Sequence, residues 1–169
     1  MGSVKVDTKG LEEFAKRMQQ LDVDYFCEQA AKELAKRFLA KVIKRTPVGQ
    51  YDDGRVGGTL RRGWTTQESG SGSEGLKTTG AGQFVDTLKV HQFGGTYVIE
   101  IKNPVEYASY VEYGHRQEPG RFVPALGKRL KKSWVPGQFM MTITENEIKK
   151  NANKIVEAKF NKLLKEAFK

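Results

Sequence analysis

Apolar positions recur at helical spacing towards both ends of the chain and at strand-like spacing in its middle. From Thr8 onward, Leu11, Phe14, Ala15, Met18 and Leu21 repeat every three or four residues around polar positions, which predicts a short amphipathic helix over 8–20. Asp22 or Asp24 can cap a second helix to about Arg45, whose apolar stripe runs from Phe26 through Ala30, Leu34, Phe38 and Leu39 to Val42 and Ile43. Pro47 disfavours helical backbone at Thr46 and ends it. Gly57-Gly58-Thr59 can open one short helical turn through Leu60, Arg61, Arg62 and Trp64, with Trp64 as a core plug.

Residues 66–83 are dominated by Gly, Ser and Thr with almost nothing to bury, and they predict a flexible excursion. Phe84 to Phe93 and Thr96 to Lys102 are rich in β-branched and aromatic residues, and Gly94-Gly95 between them predicts an antiparallel hairpin. Asn103-Pro104 ends the second strand. Val105, Ala108, Tyr110, Val111 and Tyr113 then predict a short helix closed by Gly114, followed by an extended loop over 115–127. The basic run Lys128-Arg129-Leu130-Lys131-Lys132 meets Trp134-Val135-Pro136-Gly137, which reads as a kinked helix and then a turn. Thr144 with Glu147 matches a capping box, and Ile148, Ala152, Ile155, Val156, Phe160, Leu163, Leu164 and Ala167 form one face of a long helix. The sum is an α+β fold: N-terminal helices and a long C-terminal helix packed on a small antiparallel sheet with a β-hairpin.

At 169 residues the chain fits one domain, 1–169, large enough to bury a core without disulfides or metals. Cys27 is the only cysteine, so there is no disulfide framework and no cysteine-based zinc site, and an intracellular origin is expected. No apolar run reaches the length of a signal peptide or of a membrane span. Charge alters the picture at one end: residues 126–169 hold eleven Lys or Arg against four Asp or Glu, +7 of a net +9. Such asymmetry attracts nucleic acid or an acidic protein surface, or it lines a solvated helix face.

Candidate chemistry is sparse. His91 falls in a predicted strand and His115 in a loop, without paired ligand spacing. Asp52-Asp53 reads as turn chemistry, and Glu106 with Glu112 needs a cleft before it means more. The Gly/Ser run lacks the Lys-Ser/Thr ending of a phosphate loop. No catalytic, metal or cofactor site is expected, and a nuclease or peptidase has no constellation to stand on. Arg61, Arg62, Lys128, Arg129, Lys131 and Lys132 are candidates for contact with DNA or an acidic partner. The tract from Tyr107 to Pro124 is different, because it combines tyrosines, arginines and prolines, the residue types that dominate interface hot spots. Tyr107, Tyr110, Glu112, Tyr113, His115, Arg116, Arg121 and Phe122 are its candidate subunit-interface residues.

Five features occur in a telling order: Thr46-Pro47-Val48, Gly58-Thr59-Leu60-Arg61-Arg62-Gly63-Trp64, the hairpin about Gly94-Gly95, Tyr107-Ala-Ser-Tyr-Val-Glu-Tyr-Gly114, and Phe122-Val-Pro-Ala125. Over roughly residues 10–165 this resembles the bacteriophage tail-component family of head-to-tail joining or tail completion (neck) proteins of long-tailed phages and phage-tail-like particles. Residues 66–83 and the Trp134 to Met141 segment depart from the family pattern; the latter reads as an insert suited to a contractile tail. The resemblance implies a non-enzymatic virion protein of the neck or tail, present in the host cytoplasm during assembly. It further implies a homo-oligomeric ring, a hexamer, between the head connector and the tail-tube or tail-terminator protein, with DNA passing the lumen without sequence specificity. A nucleic-acid-binding phage accessory protein is the alternative, though the C-terminal helix offers few aromatics among its basic residues.

Overall fold

The polar and apolar pattern at the start of the chain does form two helices. α1 spans Lys9–Gln19 and α2 spans Val23–Arg45 in the computed structural model, which describes residues 9–50, 54, 56–65, 80–124 and 127–168. Asp22 caps α2, its carboxylate accepting from the Tyr25 N–H at 2.8 Å, and Lys44 and Arg45 sit at the negative end of the helix dipole. The stop comes at Thr46, whose backbone is extended ahead of Pro47. Its hydroxyl donates to the Val42 carbonyl at 2.7 Å and accepts from the Trp64 indole N–H at 2.7 Å. One buried threonine thus ties the end of α2 to the core tryptophan.

α3 (Thr59–Gly63) delivers Trp64, which is 0% exposed, and Leu60 into a core shared with Ala35, Leu39 and Val42 of α2. Two more elements close that core: α4 (Ala81–Thr87) with Phe84 and Val85, and the long α6 (Met140–Ala167) with Met140. α2 and α6 form the largest helix pair. Lys41 and Arg45 of α2 both reach Glu147 of α6, the Arg45 guanidinium at 2.5 Å, and their hydrogen bonds hold the Glu147 carboxyl below its usual range. Further along, Phe26 meets Phe160 edge-on at 5.3 Å between ring centres. α1 buries no residue; Phe14 stacks on Phe168 at 4.9 Å, while Leu11 stays exposed.

Among the described residues the strands are short and come in three antiparallel pairs. β1 (His91–Phe93) pairs with β2 (Thr96–Val98) around Gly94-Gly95, both in the left-handed region that a tight hairpin turn requires. The Tyr97 hydroxyl donates to Asp24 and pins this hairpin on α2, which pushes the phenol up to about 12. α5 (Ala108–Tyr113) follows. β3 (Gly114–Arg116) then pairs with β6 (Trp134–Pro136), and β4 (Phe122–Val123) with β5 (Lys128–Arg129). Bonds from Gln117 N to Ser133 O at 2.8 Å and from Leu130 N to Arg121 O at 2.9 Å continue the pairing between the two ladders, so the described residues of 114–136 form one irregular hairpin arm.

The α+β architecture, the terminal helices and the helix ending at Gly114 are as the sequence predicts, as is the Gly94-Gly95 turn of the hairpin, although its strands are only 91–93 and 96–98, not 84–93 and 96–102. Several local expectations are overturned. Residues 84–87 are helix, not strand, and 81–83 are its first turn, not the end of a flexible excursion, because Ala81, Phe84, Val85 and Leu88 lie at i, i+3, i+4 and i+7 and turn one face to the core. A strand would have pointed Phe84 and Val85 to opposite sides. The basic run opens with strand β5, not a kinked helix, and Trp134–Pro136 is strand β6, not a turn: Leu130 is the run's one apolar residue, too little for a helix to bury, and the backbone of 128–130 pairs with 121–123 instead. Likewise 115–127 holds β3 and β4 within what was expected to be a loop. Thr144 is no N-cap, because α6 already begins at Met140; the Thr144 side chain is buried and its hydroxyl donates to the Met140 carbonyl at 2.6 Å. Thr8, the Asp52-Asp53 turn, residues 66–79 of the expected excursion, Ala125 and Leu126 lie outside the described residues.

Candidate functional site

α5 is aimed by α3. The Asn103 side chain donates to the Leu60 carbonyl at 2.8 Å and accepts from the Val105 N–H at 3.1 Å, turning the chain into α5. Gly63 is needed there, since a Cβ would lie 2.3 Å from the Asn103 side-chain oxygen. Ala108 and Val111 pack on the core, and Tyr107, Tyr110 and Tyr113, at i, i+3 and i+6, are 44%, 58% and 63% exposed. The tyrosines are therefore not what holds α5 in place.

Glu112 does that work from inside the subunit. It is 3% exposed, so this member of the expected interface is internal. Its carboxylate accepts from the Met141 N–H at 2.9 Å, the Thr142 N–H at 3.0 Å and the Thr142 hydroxyl at 2.8 Å. These backbone donors belong to the first turn of α6, which has no side-chain cap of its own; Phe139 in the cap position has φ +49. A carboxylate at the positive end of a 28-residue helix gains from both hydrogen bonding and the dipole. The Gln138 and Phe139 N–H groups add bonds to the Val111 and Glu112 carbonyls at 2.8 and 3.1 Å. The end of α5 and the start of α6 are one joint.

Two glycines let that joint close. Gly114 has φ +85, and a Cβ on it would lie 2.5 Å from the Val135 carbonyl oxygen; on Gly137 it would lie 2.2 Å from the Glu112 carbonyl oxygen. The Trp134 to Met141 segment is thus integral to the fold, because β6 brings Gly137 against Gly114. It also carries two exposed aromatics that sequence reasoning left out of the site, Trp134 (48%) and Phe139. Their signal was the pair of large apolar residues flanking a Pro-Gly turn. Along the arm, Phe122 is exposed with the Arg129 guanidinium 6.0 Å from its ring centre, and Arg116 and Arg121 are exposed. His115 is half-buried beside Tyr110, with ring centres 5.6 Å apart. Its Nε2 faces the Gln117 amide at 3.2 Å, and its buried Nδ1 has no hydrogen-bond partner among the described residues.

The candidate cations divide into two kinds. Arg61 gives two hydrogen bonds to the Thr46 carbonyl, at 2.7 and 3.2 Å, and Arg62 donates to the Gly57 carbonyl at 3.1 Å, so both brace the loop after α2. Lys128, Arg129, Lys131 and Lys132 lie exposed on β5 and the stretch after it, Arg129 also donating to the Gly120 carbonyl at 2.7 Å. Among the described residues no group of three or more His, Cys, Asp or Glu side chains could hold a metal ion, and no helix is long and apolar enough to cross a membrane.

Residues 9–114, well over half of the chain, match the family model of the bacteriophage HK97-gp10-like tail component. The chain belongs to that family. The match runs from α1 through α5 and stops at Gly114, so the HK97-gp10-like part comprises helices α1 to α5 and the β1–β2 hairpin, while the 114–136 arm and α6, which completes the core, lie past its end. No curated protein and no solved structure matches the chain. As an HK97-gp10-like protein it is a structural component of the phage tail and so part of the virion.

Proposed function

We propose that this single-domain tail protein has no catalytic activity and acts by closing a ring, a hexamer, with copies of itself. In this reading the ring joins or completes the tail at the head–tail interface, against the head connector on one side and the tail-tube or tail-terminator protein on the other. The observation that carries the reading is the aromatic surface about the Glu112 joint. Tyr107, Tyr110, Tyr113, Phe122, Trp134 and Phe139 are all 44–63% exposed; those on α5 and at the start of α6 flank the contact made by the buried Glu112 carboxylate, and Trp134 and Phe122 lie along the adjoining arm. Large aromatics left in water on a rigid scaffold are the anchors of an interface. Ring closure needs a second, different surface complementary to the first, since head-to-tail contacts are heterologous. The exposed Lys128, Lys131 and Lys132 would face passing DNA or an acidic neighbour, with phosphate contacts that carry no sequence information.

Electron microscopy of the particle, combined with Tyr113→Ala and Arg121→Ala, tests this. A ring at the head–tail junction in the unmodified particle, lost when both residues are replaced while the purified variant keeps its unfolding midpoint, is the expected result. Normal particles from the double variant would count decisively against the aromatic surface. The nucleic-acid-binding alternative predicts instead a protein that retards duplex DNA in a gel and is absent from the particle.

A further inference from the structure

An open hollow of about 480 Å³ lies on the α2–α6 seam, and one of about 490 Å³ adjoins it on the face of α2, sharing Arg37 and Lys41. Five cations line them, Arg37, Lys41, Lys44 and Arg45 from α2 and Lys154 from α6, against one lining carboxylate, Glu147. Lys41 and Arg45 already share that carboxylate, and Arg37 is held by Glu33 at 2.7 Å. Lys44 and Lys154 are exposed and make no ion pair among the described residues. The floor between the cations is apolar: Ile148 and Ile155, both half-buried, stand two turns apart on α6 and give a strip roughly 10 Å long.

We propose that this groove docks an acidic amphipathic helix of a partner protein. Arg37, Lys41 and Lys44 or Arg45 follow one another at about one helical turn, which matches carboxylates spaced i, i+4 on an opposing helix. Glu147 shows the chemistry within the subunit, since its carboxylate bridges two of these cations. The apolar strip selects the kind of anion. A phosphodiester backbone has nothing to lay on Ile148 and Ile155, whereas the apolar face of an amphipathic helix covers them while its acidic flanks meet the cations. The site is built by α2 and α6 alone, so it stands or falls separately from the ring closed by the aromatic surface.

The probe is a fluorescent peptide of about five helical turns, with Leu at heptad core positions and Glu elsewhere, titrated with the full chain and followed by anisotropy. Its Glu→Gln twin and a random-sequence DNA duplex are the comparisons. The acidic peptide is expected to bind, the Gln twin and the K44E/K154E variant each to bind roughly tenfold more weakly, and added salt to weaken the acidic peptide further. K44Q/K154Q gives a smaller loss in the same direction and guards against misfolding of the charge reversal. No binding of the acidic peptide, equal binding of its Gln twin, or unchanged affinity in both variants overturns the proposal. So does a duplex that binds more tightly than the peptide and loses that affinity in K44E/K154E, which would make the groove a phosphate track.

Discussion

Replacing Glu112 by Gln isolates the joint between α5 and α6 without opening a cavity, because the side chains are nearly isosteric. The carboxylate accepts three hydrogen bonds, two on Oε1 from Thr142 and one on Oε2 from the Met141 N–H. A glutamine can keep its carbonyl oxygen at the Oε1 position, but its amide then sets N–H donors against the Met141 N–H. One charge-assisted bond is lost and a buried donor is stranded, while the favourable charge at the start of α6 disappears. Hydrogen bonds to charged groups contribute about 1.5–3 kcal/mol and a charge at a helix end about 0.3–1 kcal/mol. Allowing for relaxation, we expect a loss of about 2–3 kcal/mol, a fall in unfolding midpoint of roughly 4–12 °C for a chain of this size. Urea titration by circular dichroism should show a lower midpoint with an unchanged slope, since the surface exposed on unfolding is the same. Glu106→Gln, six residues earlier and exposed, is the control and should stay within about 0.5 kcal/mol of the parent. If Glu112→Gln unfolds with the control, the carboxylate is not what caps α6 and the joint rests on the backbone bonds alone.

Two further substitutions test neighbouring parts of the fold. Gly114→Ala forces a side chain into φ +85 and a Cβ to within 2.5 Å of the Val135 carbonyl oxygen, so calorimetry should show a loss of at least about 1–2 kcal/mol; an unchanged midpoint would mean that β6 does not close on β3 as described. Glu147→Gln tests linkage: hydrogen bonds from Lys41 and then Arg45 hold the folded carboxyl below its ordinary 4.5, so its contribution is present above that pH and fades as pH falls through the lower folded value. The gap between parent and variant midpoints should therefore be largest near neutral pH and close in acid; a gap that persists unchanged in acid would refute the ionic account.

What the sequence revealed and what it hid follow from where the deciding partner sits. Asp22, Thr46-Pro47 and Gly94-Gly95 act on residues within four positions of themselves, so a cap, a stop and a turn are legible in order along the chain. Trp64 was legible as a core residue because its size and neighbours leave it nowhere else to go, although its hydrogen bond to Thr46, 18 residues away, was not. Residues 84–87 read as strand by their β-branched and aromatic content, but the i, i+3, i+4, i+7 face from Ala81 to Leu88 is the period that decides the outcome. The Thr144–Glu147 pattern misled differently. Both residues are committed at long range, Thr144 to Arg45 and Glu147 to Lys41 and Arg45, and the true cap of α6 comes from Glu112, about 30 positions back. The same fact recasts the Tyr-Val-Glu-Tyr-Gly motif. Its two tyrosines face solvent, its valine faces the core, its glutamate caps a distant helix and its glycine lets β6 approach, so a string that reads as one surface is divided among four duties. A tail subunit needs that division: aromatic anchors can face a neighbour in fixed positions only if the residues between them are spent on holding the scaffold still.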